Sequence, residues 1–285
     1  MILSFVVKAK DTNKRLDTFL CSETKDIPRS QITKAIKAGE ITVDNITVKP
    51  GYALKVGENI KVSIDDSSEK QDIKIPIIYE DDQVIVINKP EGVLVHSKGE
   101  YSNEYTVADF IADKVQDISG NRAGIVHRLD RGTSGVMIVA KNKDSLDWLQ
   151  KQFAKRSVKK SYIAVISGEI EPSEAVIQLP IERDPKKPKQ FRIGKNGKFA
   201  ESHYRTLKKG DKYSLLEISP KTGRTHQIRV HLAYMKHPIV GDTFYDGEPF
   251  RRLLLHASSL ELTLPNKQRR TFKADTPAGF HDIIE

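Results

Sequence analysis

The chain has 285 residues, 38% of them apolar, and 47 Lys and Arg against 38 Asp and Glu give a formal charge of +9. That is enough apolar chain for a buried core, and the length fits one large domain or a large one plus a small one at ~100–200 residues per domain. A single cysteine, Cys21, excludes a disulfide framework and a four-cysteine zinc site. No stretch approaches ~18 apolar residues, and the positive excess points to a polyanion as partner.

In chain order, LSFVV (3–7) reads as a strand. RLDTFLCSE (15–23) sets Leu16, Phe19 and Leu20 at helical spacing, and RSQITKAIKAG (29–39) repeats the pattern with Ile32, Ala35 and Ile36, Gly39 standing at the C-cap. Two ITV segments, 41–43 and 46–48, flank Asp44-Asn45 and predict a hairpin. NIKVSI (59–64) alternates and closes a compact unit. The polar run that follows predicts a small α/β domain over 1–66, a linker over 67–75 and a second domain over 76–285.

Beyond the linker, strands are expected at IIYED (77–81), QVIVINK (83–89), GVMIVAK (135–141), SYIAVISGE (161–169), FAESHYRTL (199–207), YSLLEIS (213–219) and LLLHASSLELTL (253–264). Helices are expected over 106–115, over 142–155 with Leu146, Leu149 and Phe153 on one face, and over 225–235, ended before Pro238. Strands outnumber helices and often follow one another directly. The expected fold is therefore α+β: a mixed, largely antiparallel sheet with flanking helices. RDPKKPKQFRIGKNGK (183–198) is a basic hairpin or loop.

Three strings carry possible chemistry. In HRLDRGTSG (127–135), Asp130 is followed by Gly132 and Gly135, which places it on a turn leaving a strand. Arg128 and Arg131 flank it, and guanidinium groups beside a carboxylate favour the anion. The same Asp would equally serve as a backbone cap in a glycine turn. In KTGRTHQIRVHLA (221–233), Thr222 or Thr225 caps the helix and Lys221 and Arg224 lie at its positive end, a place for phosphate. Ile228, Leu232 and Met235 form its buried stripe, with Arg229 off that stripe and within reach of a carboxylate. His226 and His231 are five apart, the wrong spacing for two zinc ligands on one helical face. In KKSYIAVISG (159–168), Tyr162 alternates with Ile163 along a strand, and its ring can stack on a base for roughly 1–3 kcal/mol. Nucleotide-binding loops and metal spacings are absent, so neither cofactor nor metal is expected.

Taken in order, NKPEGVLVH (88–96), GIVHRLDRGTSGVMIVAK (124–141), KKSYIAVISG, PKTGRTHQIRVHLA (220–233), HPIVGD (237–242) and LLLHASSL (253–260) resemble the RluA family of pseudouridine synthases over roughly 75–275. RLDTFL (15–20), PRSQITKAIKAGEITVDN (28–45) and VKPGYALKVGENI (48–60) resemble the S-four-like RNA-binding module that precedes this catalytic domain in bacterial members acting on large-subunit ribosomal RNA. One departure is Asp44-Asn45, where the usual turn is Asn-Gly.

The resemblance implies a uridine isomerase acting by base flipping. Asp130 is the implied essential carboxylate, attacking ribose or base or abstracting a ribose proton. Tyr162 would stack on the target base and assist proton transfer from carbon 5, and Arg229 would pair with Asp130. Arg128 would fill the gap left by the flipped nucleotide, with Arg131, Lys221 and Arg224 at phosphates. Arg15, Arg29, Ser30, Lys34 and Lys49 would line the RNA-facing side of the first module. The expected partner is RNA, the expected state a monomer, and the expected location the cytoplasm. A non-catalytic RNA-binding or ribosome-assembly factor, and a synthase acting on transfer RNA, are the competing readings.

Overall fold

The computed structural model describes residues 2–24, 27, 29–63, 73–97, 104–118 and 123–284. The expected linker therefore falls mostly outside the described residues. The chain divides into two compact units, 1–72 with 97–105, and 73–96 with 106–285.

In the first unit, β1 (Ile2–Val6), β2 (Ile41–Val43) and β3 (Asn59–Ser63) form an antiparallel sheet in the order β1-β3-β2. Helices α1 (Leu16–Glu23) and α2 (Arg29–Ala38) cover it. The spaced residues Leu16, Phe19 and Leu20 meet Ile32, Ala35 and Ile36 and the sheet residues Ile41 and Ile60 in one core. Burying each of these Leu, Ile and Phe side chains is worth about 1.5–3 kcal/mol, so the helices are held by this packing more than by their own propensity. Gly39 follows α2 at φ +79°, the left-handed C-cap.

Asp44 and Asn45 both take positive φ, 48° and 62°, and the amides and carbonyls of Val43 and Ile46 pair across them. The turn thus tolerates Asp-Asn in place of Asn-Gly. The hairpin stops there, however. Residues 47–48 form no strand, and the pairing across the turn is limited to the Val43–Ile46 bridge, while β2 pairs along its other edge with β3.

The second unit is built on β4 (Ile77–Glu80), β5 (Val84–Lys89), β6 (Ser134–Ala140), β7 (Lys159–Ser167), β8 (Glu174–Gln178), β9 (Ile181–Arg183), β10 (Phe191–Ile193), β11 (Glu201–Lys209), β12 (Tyr213–Pro220), β13 (Leu255–Thr263) and β14 (Arg269–Lys273). Helices α3 (Val107–Phe110), α4 (Lys143–Ala154) and α5 (Gln227–Tyr234) flank them. Among the described residues, one nine-stranded sheet runs β4-β5-β6-β13-β7-β12-β11-β8, with β14 beside β13. The architecture is α+β with a largely antiparallel sheet. β6 and β13 run parallel, through the pairs His256–Ser134 and Ala257–Gly135. Gly135 has φ +119°, and a Cβ there would overlap the Ala257 backbone. Glycine is what lets these two strands touch.

Strand β6 is buried along its whole length, with Val136 and Ile138 facing one core cluster and Met137 and Val139 another. Helix α3 is short; Thr106 and Asp109 make a reciprocal capping box at its start, and a 3-10 turn follows at Ala112–Lys114. β9 and β10 pair as a separate hairpin whose connection and second strand fall in the basic 183–198 region.

Candidate active site

Asp130 lies on a turn that enters a strand, whereas its glycines predict a turn leaving one. The Thr133 amide donates to the Asp130 carbonyl at 3.1 Å, and β6 begins at Ser134. The stretch before it makes only an isolated bridge, Ile125 with Val139. The turn is pinned from beneath by Lys89. Its fully buried Nζ donates to the carbonyls of Pro90 and Val93 at 2.8 Å and of Arg131 at 3.3 Å. Burial pulls the pKa of Lys89 down to about 7, with the Asp130 charge opposing. Arg252 donates to Ser134 Oγ at 2.7 Å, which fixes the other end.

The cation on Asp130 comes from helix α5. Arg229 Nη1 donates to Asp130 Oδ2 at 3.2 Å. The rest of that guanidinium forks onto Asp242, Nε to Oδ2 at 2.7 Å and Nη2 to Oδ1 at 2.8 Å. Its face lies 5.1 Å from the Tyr245 ring centroid and 5.7 Å from that of Phe244. Burial works against the charge of Arg229, but Asp242 and then Asp130 outweigh it and raise its pKa. Among the described residues, Asp130 Oδ1 has no hydrogen-bond donor. One oxygen of the carboxylate is held and the other is left for a ligand.

Helix α5 departs from the single-stripe expectation. Gln227, Ile228, Arg229, Val230, His231 and Leu232 are all buried, while Met235 is 36% exposed. The helix is packed on several sides, against β10, β11 and the 3-10 turn Thr243–Tyr245. Arg229 is therefore buried and tolerated there only because its donors are paired. Neither Thr222 nor Thr225 caps the helix; His226 occupies the N-cap without a side-chain cap. Thr222 Oγ1 donates instead to Gln227 Oε1 at 2.6 Å and accepts from the Glu201 amide at 3.0 Å.

Asp130, Tyr162, Arg229, Arg128, Lys221 and Arg224 line one cavity of about 470 Å³. Tyr162 reaches it from β7, with burial and then the Asp130 charge raising its phenol well above the ordinary tyrosine value. The ring is thus a neutral phenol at physiological pH. Arg128 is exposed and makes no ion pair with Asp130. Arg131 is exposed and outside the cavity lining, and its backbone carbonyl accepts from Lys89. The expected flanking-arginine support for the carboxylate is therefore supplied by Arg229. Lys160, also in the lining, donates to the Thr222 carbonyl at 3.1 Å, and burial lowers it to about 8.

In the first unit, Arg15 and Arg29 converge on Asp17. Arg15 binds it through Nε and Nη2, each at 3.0 Å, and Arg29 through Nη2 at 2.9 Å. Asp17 is 5% exposed in its side chain, the two arginines 56% each. The hydrogen bonds from Arg15 do most to hold Asp17 far below the usual carboxylate range; burial opposes and Arg29 adds to the lowering. The Arg15 guanidinium lies against Gly51, which has no Cβ to displace it. Lys34 and Lys49 are exposed. Ser30 lies in α2, and its side chain falls outside the described residues.

Sequence reasoning missed Asp242, Lys89 and Lys160. Asp242 was visible only as the last residue of HPIVGD, a Pro- and Gly-punctuated loop with no period to mark its side chain. Among the described residues, no cluster of three or more His, Cys, Asp or Glu is suited to hold a metal, and no helix is long and apolar enough to cross a membrane.

Comparison with known proteins bears on this site. The profile of the RNA pseudouridylate synthase family matches residues 83–234, and that of the S4 domain matches 14–60. An uncharacterized RNA pseudouridine synthase of Bacillus subtilis, YlyB, is 32% identical over 99% of this chain and 97% of its own length. A ribosomal large subunit pseudouridine synthase D of Xanthomonas campestris is 34% identical over 91% of this chain and 84% of its own. Among solved structures, human RNA pseudouridylate synthase domain containing 1 is similar with a TM-score of 0.61 and 26% identity, over 74% of this chain and 85% of that one.

Proposed function

Given that the chain belongs to the RNA pseudouridylate synthase family, we propose that it converts specific uridines of large-subunit ribosomal RNA to pseudouridine, with Asp130 as the essential carboxylate. The reaction breaks the N1–C1′ bond of uridine, turns the base and joins C5 to C1′, while a proton leaves C5 and one arrives at N1. Atoms and charge balance without redox chemistry. The observation that carries the reading is the environment of Asp130, whose Oδ2 is held by Arg229 while the residue lines a cavity that Tyr162 also lines.

A uridine within a stacked strand must be flipped out to reach this depth, at a cost of a few kcal/mol. Arg128, two residues from Asp130, lines the cavity, and in this reading it fills the vacated gap. Tyr162 suits stacking on the flipped base. Its raised pKa argues against the phenolate as the group that takes the C5 proton at neutral pH. Lys221 and Arg224 supply positive charge at the rim for phosphates.

We assign residues 1–66 to RNA binding and 76–285 to catalysis. The large-subunit substrate is supported by the relative of that name and by the S4 match. Incubating the protein with large-subunit ribosomal RNA and mapping pseudouridines tests both parts. New pseudouridine at discrete positions is expected. None in any RNA would overturn the enzymatic reading, and modification of transfer RNA alone would overturn the substrate.

The Asp17 cluster yields a second expectation. Asp17→Ala should release Arg15 and Arg29 from their fixed placement. RNA affinity should fall several-fold, and the salt slope should flatten by about 0.7 for each single-strand phosphate that the arginines cease to hold. The rate at saturating RNA should not change. Titrating RNA at two salt concentrations checks this, and unchanged affinity and slope would remove the two arginines from the RNA surface.

A further inference from the structure

We propose that His226 is a positioning residue for Asp130, held as a neutral imidazole with its proton on Nε2 and directed at the oxygen that Arg229 also engages. The inference rests on the reading of Asp130 as the essential carboxylate.

His226 stands just before α5 with φ +56° and ψ 20°, a left-handed conformation uncommon for a non-glycine residue. Its ring is wedged edge-on among three aromatics, with centroid distances of 5.6 Å to Phe191, 5.6 Å to Tyr245 and 6.3 Å to Phe244. The orientation is therefore set by packing.

The proton count follows from Tyr245. The Phe191 amide donates to Tyr245 Oη at 3.0 Å, and His226 Nδ1 lies 2.7 Å from the same oxygen. The amide has used one lone pair, and the hydroxyl has one proton to give. Among the described residues, Nδ1 is the acceptor in reach. Tyr245 thus donates to Nδ1, and a neutral ring must then carry its proton on Nε2.

Nε2 faces Asp130 Oδ2 at 3.8 Å. That is too long for a hydrogen bond. It is short enough for the N–H dipole to act on the oxygen and to tighten when a nucleotide closes the cavity. Arg229 and His226 both address Oδ2, which keeps the carboxylate from turning and leaves Oδ1 for the substrate.

The charged and titratable groups facing the ring are Asp130, Arg229, Asp242 and Arg128, with Tyr245 hydrogen-bonded. Burial, Arg229 and Arg128 oppose an imidazolium, while Asp130 and Asp242 favour it; the balance lowers the pKa of His226 below its ordinary value. Neutrality matters chemically. A second full cation on Oδ2 would draw electron density from the carboxylate and weaken it as nucleophile or base.

The test uses the full chain and an RNA that the wild type modifies, with variants His226→Ala, His226→Gln and Tyr245→Phe. His226→Ala should lower the single-turnover rate on the order of tenfold with RNA affinity unchanged. His226→Gln carries an N–H near the place of Nε2 at the same backbone cost, and should recover most of the loss. Tyr245→Phe removes the donor to Nδ1, which favours protonation of the ring and moves the acid limb of the rate profile to higher pH. Long-range proton–nitrogen correlation of the His226 ring should show Nε2 protonated. A proton on Nδ1, or equal rates for the Ala and Gln variants, would overturn the proposal. Wild-type protein that forms no pseudouridine would instead sink the reading of Asp130, and the ring spectrum would still decide the state of His226.

Discussion

Asp130→Asn should abolish pseudouridine formation while leaving the fold and RNA binding in place. The amide is isosteric, and it offers neither a nucleophilic oxygen anion nor a base. Removing the sole group that performs such a step typically costs on the order of 10⁴-fold or more. The fold should survive because Arg229 does not depend on Asp130 for its charge balance. Two of its three hydrogen-bonding nitrogens are on Asp242, at 2.7 and 2.8 Å, against one longer bond of 3.2 Å to Asp130. The guanidinium keeps Asp242 as its anionic partner, so the substitution leaves no buried charge uncompensated. Single-turnover conversion, filter binding and a thermal melt read the three quantities separately. Substantial turnover in the variant would remove Asp130 from the chemistry.

Asp242→Ala should do the reverse, damaging the fold and the site together. Asp242 is 2% exposed and Arg229 is 9% exposed. Taking Asp242 away leaves the buried guanidinium with only its single longer bond to Asp130, at a cost of up to about 3–5 kcal/mol. Asp242→Asn keeps the shape and one acceptor, and should therefore stay folded. In that variant the guanidinium loses its anionic anchor and is free to fork onto Asp130, engaging Oδ1 as well as Oδ2. The rate should fall by about 10²-fold with RNA affinity intact. An Asp242→Asn protein with wild-type rate would show that the Arg229–Asp242 fork does not govern the carboxylate. A melt of Asp242→Ala within about 1 kcal/mol of wild type would contradict the burial argument.

Much of this was readable from residues alone, for identifiable reasons. Asp130, Tyr162 and Arg229 lie in strings that each leave alternatives open and are joined by their resemblance to one family; in the structure all three line one cavity. The helices of the first unit follow from the spacing of Leu16, Phe19, Leu20, Ile32, Ala35 and Ile36, and the turn at Asp44-Asn45 from local backbone preference. The extent of that hairpin was not readable: it stops at the Val43–Ile46 bridge, and the ladder of β2 is made instead with β3, more than ten residues away in sequence. Strand β8 was missed for a similar reason. Its sequence EAVIQ has one buried residue, Ile177, and its identity comes from pairing with β11. Strand β14, RRTFK, buries only Phe272. Helix α5 defeated the amphipathic reading because packing on several sides buries polar and apolar residues alike. A single hydrophobic stripe describes a helix lying on a surface, and α5 is enclosed. Asp242 gave no periodic signal at all, since its importance is fixed by where a distant arginine ends.

The parallel pairing of β6 with β13, only two residue pairs long and made possible by Gly135, has a bearing on how the enzyme is assembled. Asp130 arrives on one bank of that narrow bridge, with β4, β5 and β6, whereas Tyr162 and Arg229 arrive on the other, with β7 and α5. Neither bank owns a working set of groups. Reactive chemistry is thereby made contingent on completed tertiary structure, and turnover itself becomes a ruler for whether the two banks have met.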